Sequence, residues 1–276
     1  MRTKASETES IEIRLLVEAI FQRYHYDFRS YSMASLKRRL NQALLHFHCE
    51  SLSHLQDRVL HDATMLPQLL GYLTVQVSEM FRDPLFFKAL REQVIPHLRT
   101  YPSLKVWIAG CSAGEELYSL AILFREEGLD ARTIFYATDI NPDALQKAEA
   151  GVYALDRLPQ FTTNHQLSGG KSSLSDYYTA AYGNAIFDKS LRRQAVFSDH
   201  SLVSDAVFAE VHLVCCRNVL IYFERTLQDR AVGLFQDSLV RKGFLGLGSK
   251  ESLHFSAHHR AFTEFVREQR IYQKCG

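Results

Sequence analysis

Apolar residues recur at steps of three and four along the first 75 residues of the chain. Two stripes with this spacing are formed by Ile13, Leu16, Val17, Ile20 and Tyr24 and by Met33, Leu36, Leu40, Leu44 and Phe47. Shorter stretches of the same pattern lie between Leu52 and Leu73. Because residues three and four apart share one face of a helix, the pattern predicts an all-helical domain over residues 1–75.

After residue 75, short apolar runs alternate with helical segments. Four runs are typical of buried strands: LKVWIAG (104–110), TIFYATDI (133–140), AEVHLVCCR (209–217) and GFLGLGS (243–249). Helices are predicted at about 115–127, at 141–151 and at 225–243, and a closing strand or hairpin at 262–275. Strands that alternate with helices predict an α/β fold, in which a mostly parallel sheet has helices on both faces.

Terminal signals mark two of the helices. Asn141 is expected to cap a helix that starts at Pro142 and stops at Gly151. Asp83 is expected to cap another helix, with Pro84 as its first residue.

Residues 156–200 do not follow the alternation of strands and helices. They contain SGGKSS, YGN and several tyrosines, which indicates loops and short strands. A flexible surface loop and a small recognition subdomain both agree with this composition. Apart from this insertion, residues 76–276 are predicted to form one domain.

Composition narrows the possible classes of protein. Apolar residues make up 46% of the chain and the formal charge is +1, which favours a globular protein with no general attraction to nucleic acid. The sequence contains no 18-residue apolar stretch, so we expect a soluble, intracellular protein without membrane insertion. Five scattered cysteines without a C-x-x-C pair favour reduced thiols. HFHC (46–49) has no second ligand pair, so no metal site is expected.

Two glycines lie in the turn after the first predicted strand, in the sequence GCSAGEE. Gly110 and Gly114 would line the crevice at which open α/β sheets bind ligands. The next helix begins with Glu115 and Glu116, whose carboxylates suit an ammonium group and would repel a pyrophosphate. S-adenosylmethionine carries an amino group and a sulfonium and no phosphate, whereas a dehydrogenase fingerprint would read G-x-G-x-x-G. The alternative is a structural turn with acids that favour the helix dipole.

Polar residues also follow two other predicted strands. Asp139 in YATDIN could accept hydrogen bonds from ribose hydroxyls or could cap the next helix. Arg217, Asn218 and Tyr222 leave a central strand where a substrate would meet the cofactor. With Arg82 they suggest an anionic acceptor, because guanidinium groups match carboxylates. For Arg217, a structural salt bridge is the alternative.

These motifs resemble the CheR family, the S-adenosylmethionine-dependent methyltransferases of chemotaxis receptors. The resemblance covers essentially the whole chain and rests on FRDP, GCSAGEE, ATDIN, CCRNVLIYF and GFLGLGSKESL. It implies a Rossmann-like methyltransferase domain with a small inserted β-subdomain, preceded by an all-α domain. It also implies a monomeric cytoplasmic enzyme that esterifies glutamate side chains on receptor helices and releases S-adenosylhomocysteine.

The resemblance assigns roles to individual residues. The implied cofactor residues are Gln76, Ser78, Arg82, Gly110, Gly114, Glu115, Asp139, Ser201, Leu202 and Asn218. Arg82 and Glu115 would contact the methionine part, Asp139 the ribose, and Ser201 with Leu202 the adenine. The implied catalytic residues are Arg82, Arg217 and Tyr222. The chain departs from the family at QVSEMFR (76–82), where N-x-T-x-F-F-R is frequent, and at Ser201, where asparagine is usual.

Basic residues on the second N-terminal helix offer a surface for a partner. Two of Lys37, Arg38 and Arg39 should flank the apolar stripe, where they could meet acidic receptor helices, although a solvated face is the alternative. The inserted subdomain is a second candidate surface. Methylation of another protein or a small molecule, and a binding module without catalysis, remain the competing functions.

Overall fold

The computed structural model describes residues 4–76 and 78–276 and divides into two compact units. The first unit contains the described residues up to Val75 together with Tyr222–Arg230. The second contains Gln76–Ile221 and Ala231–Gly276. Residues 1–3 and 77, which the two predicted domains include, lie outside the described residues, and the hydrophobic pattern did not predict that Tyr222–Arg230 would join the helices.

Four helices form the first unit: α1 (Lys4–Tyr24), α2 (Met33–Phe47), α3 (Leu52–His61) and α4 (Met65–Leu73). Their cores follow the predicted stripes, since Leu16, Ile20 and Leu40 are fully buried. The returning segment is fixed by backbone hydrogen bonds, in which Ser32 N donates to Tyr222 O at 2.8 Å and Glu224 N donates to Ser30 O at 2.9 Å.

The second unit alternates helices and strands. The first half contains α5 (Pro84–Ala89), a π-helical turn (Leu90–Val94), α6 (Ile95–Leu98), β1 (Leu104–Ala109), α7 (Glu115–Glu126), β2 (Thr133–Asp139) and α8 (Pro142–Ala150). The inserted part contains β3 (Val152–Ala154), α9 (Leu158–Leu167), β4 (Tyr178–Ala181) and β5 (Asn184–Phe187). The remainder contains β6 (Ala195–Asp199), β7 (Val211–Cys216), α10 (Arg225–Ser238), β8 (Leu239–Leu247), β9 (Phe262–Val266) and β10 (Ile271–Lys274), and the first turns of α10 are counted with the first unit.

Seven strands form the main sheet in the order β6-β2-β1-β7-β8-β10-β9. The first five are parallel, and β10 pairs antiparallel with both of its neighbours. The predicted α/β class is therefore confirmed. The chain passes from β1 outward to β2 and later returns to β7 on the other side of β1. The carboxyl ends of these strands thus define a switch point, where such sheets bind ligands.

The insertion is a folded subdomain rather than a loop. Strands β3, β5 and β4 form an antiparallel sheet of their own, and α9 lies within the same stretch of chain. The predicted bounds of about 156–200 differ from the structure at both ends. The small sheet already begins at Val152, and β6 pairs with β2 at the edge of the main sheet.

Two predicted helix ends also need correction. Helix α10 stops at Ser238 and not near Gly243, because the buried Leu239 pairs with Val211 and so starts β8. Asp83 precedes α5, but its side chain makes no capping hydrogen bond. The predicted cap of α8 is confirmed, because the Asn141 side chain accepts hydrogen bonds from the first turn of that helix.

Candidate cofactor site

The loop after β1 is tied to the end of β2. The backbone N–H groups of Gly110 and Cys111 both donate to Thr138 O, at 2.8 and 2.9 Å. Gly110 and Gly114 have φ of +76° and +93°, which favours glycine. A Cβ at Gly114 would lie 2.9 Å from the Ala148 Cα, so the loop could not accept a side chain there. The two glycines therefore form a backbone cradle at the switch point.

Asp139 stands beside this cradle at the end of β2. Its Oδ2 accepts a hydrogen bond from Ser112 N at 2.9 Å, and its Oδ1 accepts one from Asn141 N at 3.0 Å. Burial raises the pKa of Asp139, and the backbone hydrogen bonds oppose that shift. Each carboxylate oxygen retains acceptor capacity for a ribose hydroxyl. Ser112 Oγ donates to Gln76 Oε1 at 3.0 Å, so the predicted Gln76 lies in the same cluster.

Glu115 is the first residue of α7 and is fully buried. Its Oε1 accepts a hydrogen bond from Arg157 Nη1 at 2.9 Å, while its Oε2 has no hydrogen-bond partner among the described residues. Arg157 also donates to the carbonyl of Ser78, which brings the predicted Ser78 next to this carboxylate. A buried carboxylate oxygen without a partner fits the ammonium group of a ligand such as S-adenosylmethionine. Arg157 lies in no recognised motif, so the sequence did not predict it as a residue of this site.

Arg217 is buried in a network of acceptors. Its Nη1 donates to Glu116 Oε2 at 3.0 Å, and its Nη2 donates to Asp83 Oδ2 at 2.9 Å and to Arg82 O at 2.8 Å. Only 1% of its side chain is exposed, and its Cζ lies 4.1 Å from the centre of the Phe86 ring. The geometry favours the salt-bridge alternative. The bond to the Arg82 carbonyl ties Arg217 to that segment, and a direct contact of Arg217 with substrate stays a prediction.

Arg82 is held by an unusual backbone. Phe81 and Asp83, on either side of it, have φ of +52° and +54°. Non-glycine residues adopt this region at an energetic cost, so the surroundings must impose it. One such constraint is the hydrogen bond of 2.8 Å from Phe81 N to Ser119 Oγ. Arg82 is partly exposed, and its positive charge lowers the pKa of Glu116 against a larger rise caused by burial.

Asn218 also lies at this edge of the sheet, at the carboxyl end of β7. Its φ is +60°, and its backbone N–H donates to Glu251 Oε2 at 3.0 Å. The neighbouring Val219 packs on Gly110, where a Cβ would lie 2.6 Å from Val219 Cγ2. The turn after β7 therefore covers the cradle formed by the loop after β1. Glu251 lies in the quoted GFLGLGSKESL motif but was given no role there.

The predicted adenine residues follow β6. Asp199, the last residue of β6, pairs in register with Asp139, so this loop starts beside the ribose candidate. The Ser201 hydroxyl accepts hydrogen bonds from the N–H groups of Val203 and Ser204. Its own N–H donates to Asp205. Ser201 is thus used to shape the turn, while Leu202 is a buried apolar side chain.

Tyr222 and the basic residues of α2 belong to the first unit. The Arg39 guanidinium lies 4.3 Å from the centre of the Tyr222 ring and donates to Leu73 O at 2.7 Å. Arg39 is only 5% exposed, so the surface role predicted for it is wrong. Lys37 and Arg38 are exposed, and Lys37 pairs with Glu9.

The part of the chain that the structure describes contains no group of three or more histidine, cysteine, aspartate or glutamate side chains placed to hold a metal ion. Within residues 4–76 and 78–276, no helix is both long and apolar enough to cross a membrane.

The sheet topology, with a glycine cradle and acidic side chains at its switch point, is that of an α/β domain that binds a nucleoside-containing ligand. Comparison with known families places the chain further. Residues 76–270 match the CheR methyltransferase SAM binding domain, and residues 11–74 match the CheR methyltransferase all-alpha domain. The chain therefore belongs to the CheR methyltransferase family, and its cofactor is S-adenosylmethionine.

Individual relatives agree with this assignment. The chain is 60% identical over 264 residues to the Pseudomonas putida protein named "Putative methyltransferase Cher3", covering 96% of this chain and 97% of that protein. It is 30% identical to a chemotaxis protein methyltransferase of Listeria innocua, covering 82% and 84% of the two chains. Among solved structures, magnesium protoporphyrin IX methyltransferase from Synechocystis with bound SAM is 18% identical, with a TM-score of 0.37 over 70% of this chain and 81% of the other. That last likeness is too weak to support a functional argument.

Proposed function

We propose that this protein transfers the methyl group of S-adenosylmethionine to glutamate side chains of chemoreceptor-type signalling proteins. The products would be glutamate methyl esters and S-adenosylhomocysteine. The observation that carries the proposal is the arrangement of charge in the crevice. Glu115 would offer a buried carboxylate oxygen to the ammonium of the cofactor, and the partly exposed residue Arg82 would bring a positive charge to an anionic acceptor. Relatives named as chemotaxis protein methyltransferases support the choice of acceptor.

The chemistry requires no general base. Bound S-adenosylmethionine supplies a methyl group activated by the sulfonium. A carboxylate oxygen of the acceptor forms a bond to the methyl carbon while the carbon–sulfur bond breaks, and the bonding pair leaves on sulfur. Glutamate has an ordinary pKa of about 4.3, so the acceptor is already ionised at neutral pH. The protein must therefore supply mainly position and orientation, which are worth roughly 7–11 kcal/mol in favourable cases.

The residues of the crevice divide this task. Asp139 would bind the ribose, while Glu115 would bind the amino group of the cofactor. Arg82 would orient the acceptor carboxylate. The hydrogen bond from Arg217 to the backbone carbonyl of Arg82 would keep Arg82 in position. Tyr222 belongs to the first unit, where it lies next to Arg39, and we propose that it orients the acceptor and takes no part in proton transfer.

The test is to incubate the protein with S-adenosylmethionine and receptor signalling fragments. Modified glutamates are identified by mass spectrometry, and turnover is measured as S-adenosylhomocysteine formed. We expect glutamate esters with the wild type and a strong loss of turnover with Arg82→Ala. Single-turnover rates at saturating cofactor should be nearly flat from about pH 6 to 8.5. A tenfold rise per pH unit, or modification of an amine, would contradict the proposed carboxylate acceptor, because an amine must lose a proton before attack.

A further inference from the structure

Glu251 is a buried carboxylate outside the cofactor residues named above. It is 4% exposed and follows the end of β8 by four residues. Its Oε2 accepts hydrogen bonds from Gly248 N at 2.7 Å and from Asn218 N at 3.0 Å. Its Oε1 accepts one from Ile221 N at 3.2 Å. No lysine or arginine among the described residues forms a salt bridge with it. Burial raises the pKa of Glu251, and the hydrogen bonds from backbone amides oppose that shift.

These amides come from two separate segments of the chain. Asn218 and Ile221 belong to the turn after β7, and Gly248 follows β8. A single carboxylate therefore joins the carboxyl ends of two neighbouring strands. The turn needs such a constraint, because the positive φ of Asn218 carries an energetic cost for a residue with a side chain.

Gly248 leaves the space that this junction requires. A Cβ on Gly248 would lie 2.7 Å from Asn218 N, 2.8 Å from Asn218 Nδ2 and 2.8 Å from Glu251 Oε2. A side chain at this position would displace either the turn or the carboxylate. Gly248 and Glu251 thus together fix the backbone of Asn218.

The turn after β7 also packs on the cradle formed by Gly110 and Gly114. Val219, next to Asn218, fills the space where a Cβ of Gly110 would lie, 2.6 Å from Val219 Cγ2. A shift of the turn would therefore change both the position of the Asn218 side chain and the wall over Gly110.

We propose that Glu251 is a positioning residue, which holds the turn after β7 so that the Asn218 side chain is placed to contact the cofactor, and thereby sets the affinity for the cofactor. The inference rests on the proposed contact between Asn218 and the cofactor. Glu251 itself would touch neither cofactor nor acceptor. A glutamine at this position would bring two N–H donors where the backbone amides need an acceptor.

The test is titration of the full chain with S-adenosylhomocysteine by calorimetry. We expect Glu251→Gln to raise Kd at least tenfold and Gly248→Ala to raise it in the same direction. Glu268→Gln, which changes an exposed carboxylate in the same unit, is the matched control and should change Kd less than twofold. If Glu251 acts through Asn218, the substitution Glu251→Gln should change Kd less than threefold in an Asn218→Ala background, because residues in one network are not additive.

Two outcomes would overturn the proposal: a Kd within twofold of wild type for a folded Glu251→Gln protein, or a full tenfold effect that persists in the Asn218→Ala background. If Glu251→Gln does not fold, Gly248→Ala decides the question. It keeps the carboxylate, and an unchanged Kd would then contradict the inference. The titration contains no methyl acceptor, so its result is independent of whether glutamate is the substrate.

Discussion

The two ends of helix α7 each carry two consecutive glutamates, yet their surroundings differ. At the carboxyl end, Glu126 and Glu127 are buried among hydrogen-bonding and cationic partners. These partners are Arg91, Arg99, His165 and Lys171, at 2.6 to 3.0 Å. At the amino end, Glu115 has one arginine and an oxygen without a partner, and Glu116 shares Arg217 with Asp83.

The helix dipole accounts for part of this difference. Carboxylates are favoured at the amino end of a helix and disfavoured at the carboxyl end, so the pair at the carboxyl end needs more cations. Burial raises the pKa of Glu126, but hydrogen bonds from His165 and Arg91 outweigh it and lower the pKa to about 2. At the amino end burial prevails and raises the pKa of Glu116. We therefore expect the pair at the carboxyl end to stabilise the fold, and we propose that Glu115, whose Oε2 has no hydrogen-bond partner, binds a ligand.

The largest expected effect follows from removing the arginine that serves both carboxylates at the carboxyl end. Arg91→Met should lower the free energy of unfolding by about 3–5 kcal/mol, because it removes the buried cation that pairs with both carboxylates and leaves Glu126 with His165 as its remaining ion-pair partner. Denaturant unfolding measures this loss. Arg99→Met is the matched control, since Arg99 pairs with the same Glu127 but half of its side chain is exposed. That control should cost less than about 1 kcal/mol. Equal losses would contradict the difference drawn between buried and exposed partners.

The second expected effect is a dependence of stability on acid. The pKa of Glu126 is about 2 in the folded protein and lies below its ordinary value. Its stabilising contribution is therefore present above about pH 5 and is lost as the pH falls toward 2, amounting to about 3 kcal/mol. The free energy of unfolding, measured between those pH values, should show this loss. Its change per pH unit should be smaller in Glu126→Gln. If the free energy of unfolding of Glu126→Gln depends on pH as strongly as that of the wild type, other carboxylates cause the acid sensitivity.

The third effect concerns Asp139, the acid at the end of β2 beside the proposed cofactor cradle. Asp139→Asn should weaken binding of S-adenosylhomocysteine by about 1.5–3 kcal/mol, because both carboxylate oxygens accept hydrogen bonds and an amide offers only one acceptor. Calorimetry measures the change. Asp143→Asn, which alters an exposed acid on α8, should leave affinity unchanged. Unchanged affinity in Asp139→Asn would contradict the proposal that Asp139 binds the ribose.

The smallest effect on stability is expected where charges are exposed. Lys37→Glu with Arg38→Glu should change the free energy of unfolding by less than about 1 kcal/mol. If α2 meets an acidic receptor surface, the same substitutions should raise the apparent KM for receptor, and added salt should do so in the wild type. Lys147→Glu, an exposed site in the second unit, serves as the control. Unchanged receptor kinetics would leave a solvated face as the role of Lys37 and Arg38.

Local signals in the sequence were enough to predict the elements that contain them. The cap at Asn141, the strand that ends at Asp139 and the glycine turn after β1 all depend on neighbouring residues, and the structure contains each of them. Burial of Arg39 also had a signal, because position 39 lies four residues before the buried Ala43 on the same helix.

Partners that are distant in sequence could not be predicted. Arg157 meets Glu115 across 42 positions, and Glu251 meets Asn218 across 33. The pairing of β6 with β2 and the return of Tyr222–Arg230 to the helices depend on the three-dimensional fold in the same way. The acidic partners of Arg217 could not be predicted for the same reason, since neither Asp83 nor Glu116 is near it in sequence.

We propose that Glu115 Oε2, which has no hydrogen-bond partner in the protein, binds the amino group of the cofactor. The most direct measurement compares two ligands, S-adenosylhomocysteine and 5′-methylthioadenosine, which lacks the amino-acid part. Glu115→Gln should weaken S-adenosylhomocysteine at least tenfold, the loss of a hydrogen bond to a charged group, and leave the Kd of 5′-methylthioadenosine within twofold. Equal losses for both ligands, or no loss for either, would contradict the claim and leave Glu115 as a structural partner of Arg157.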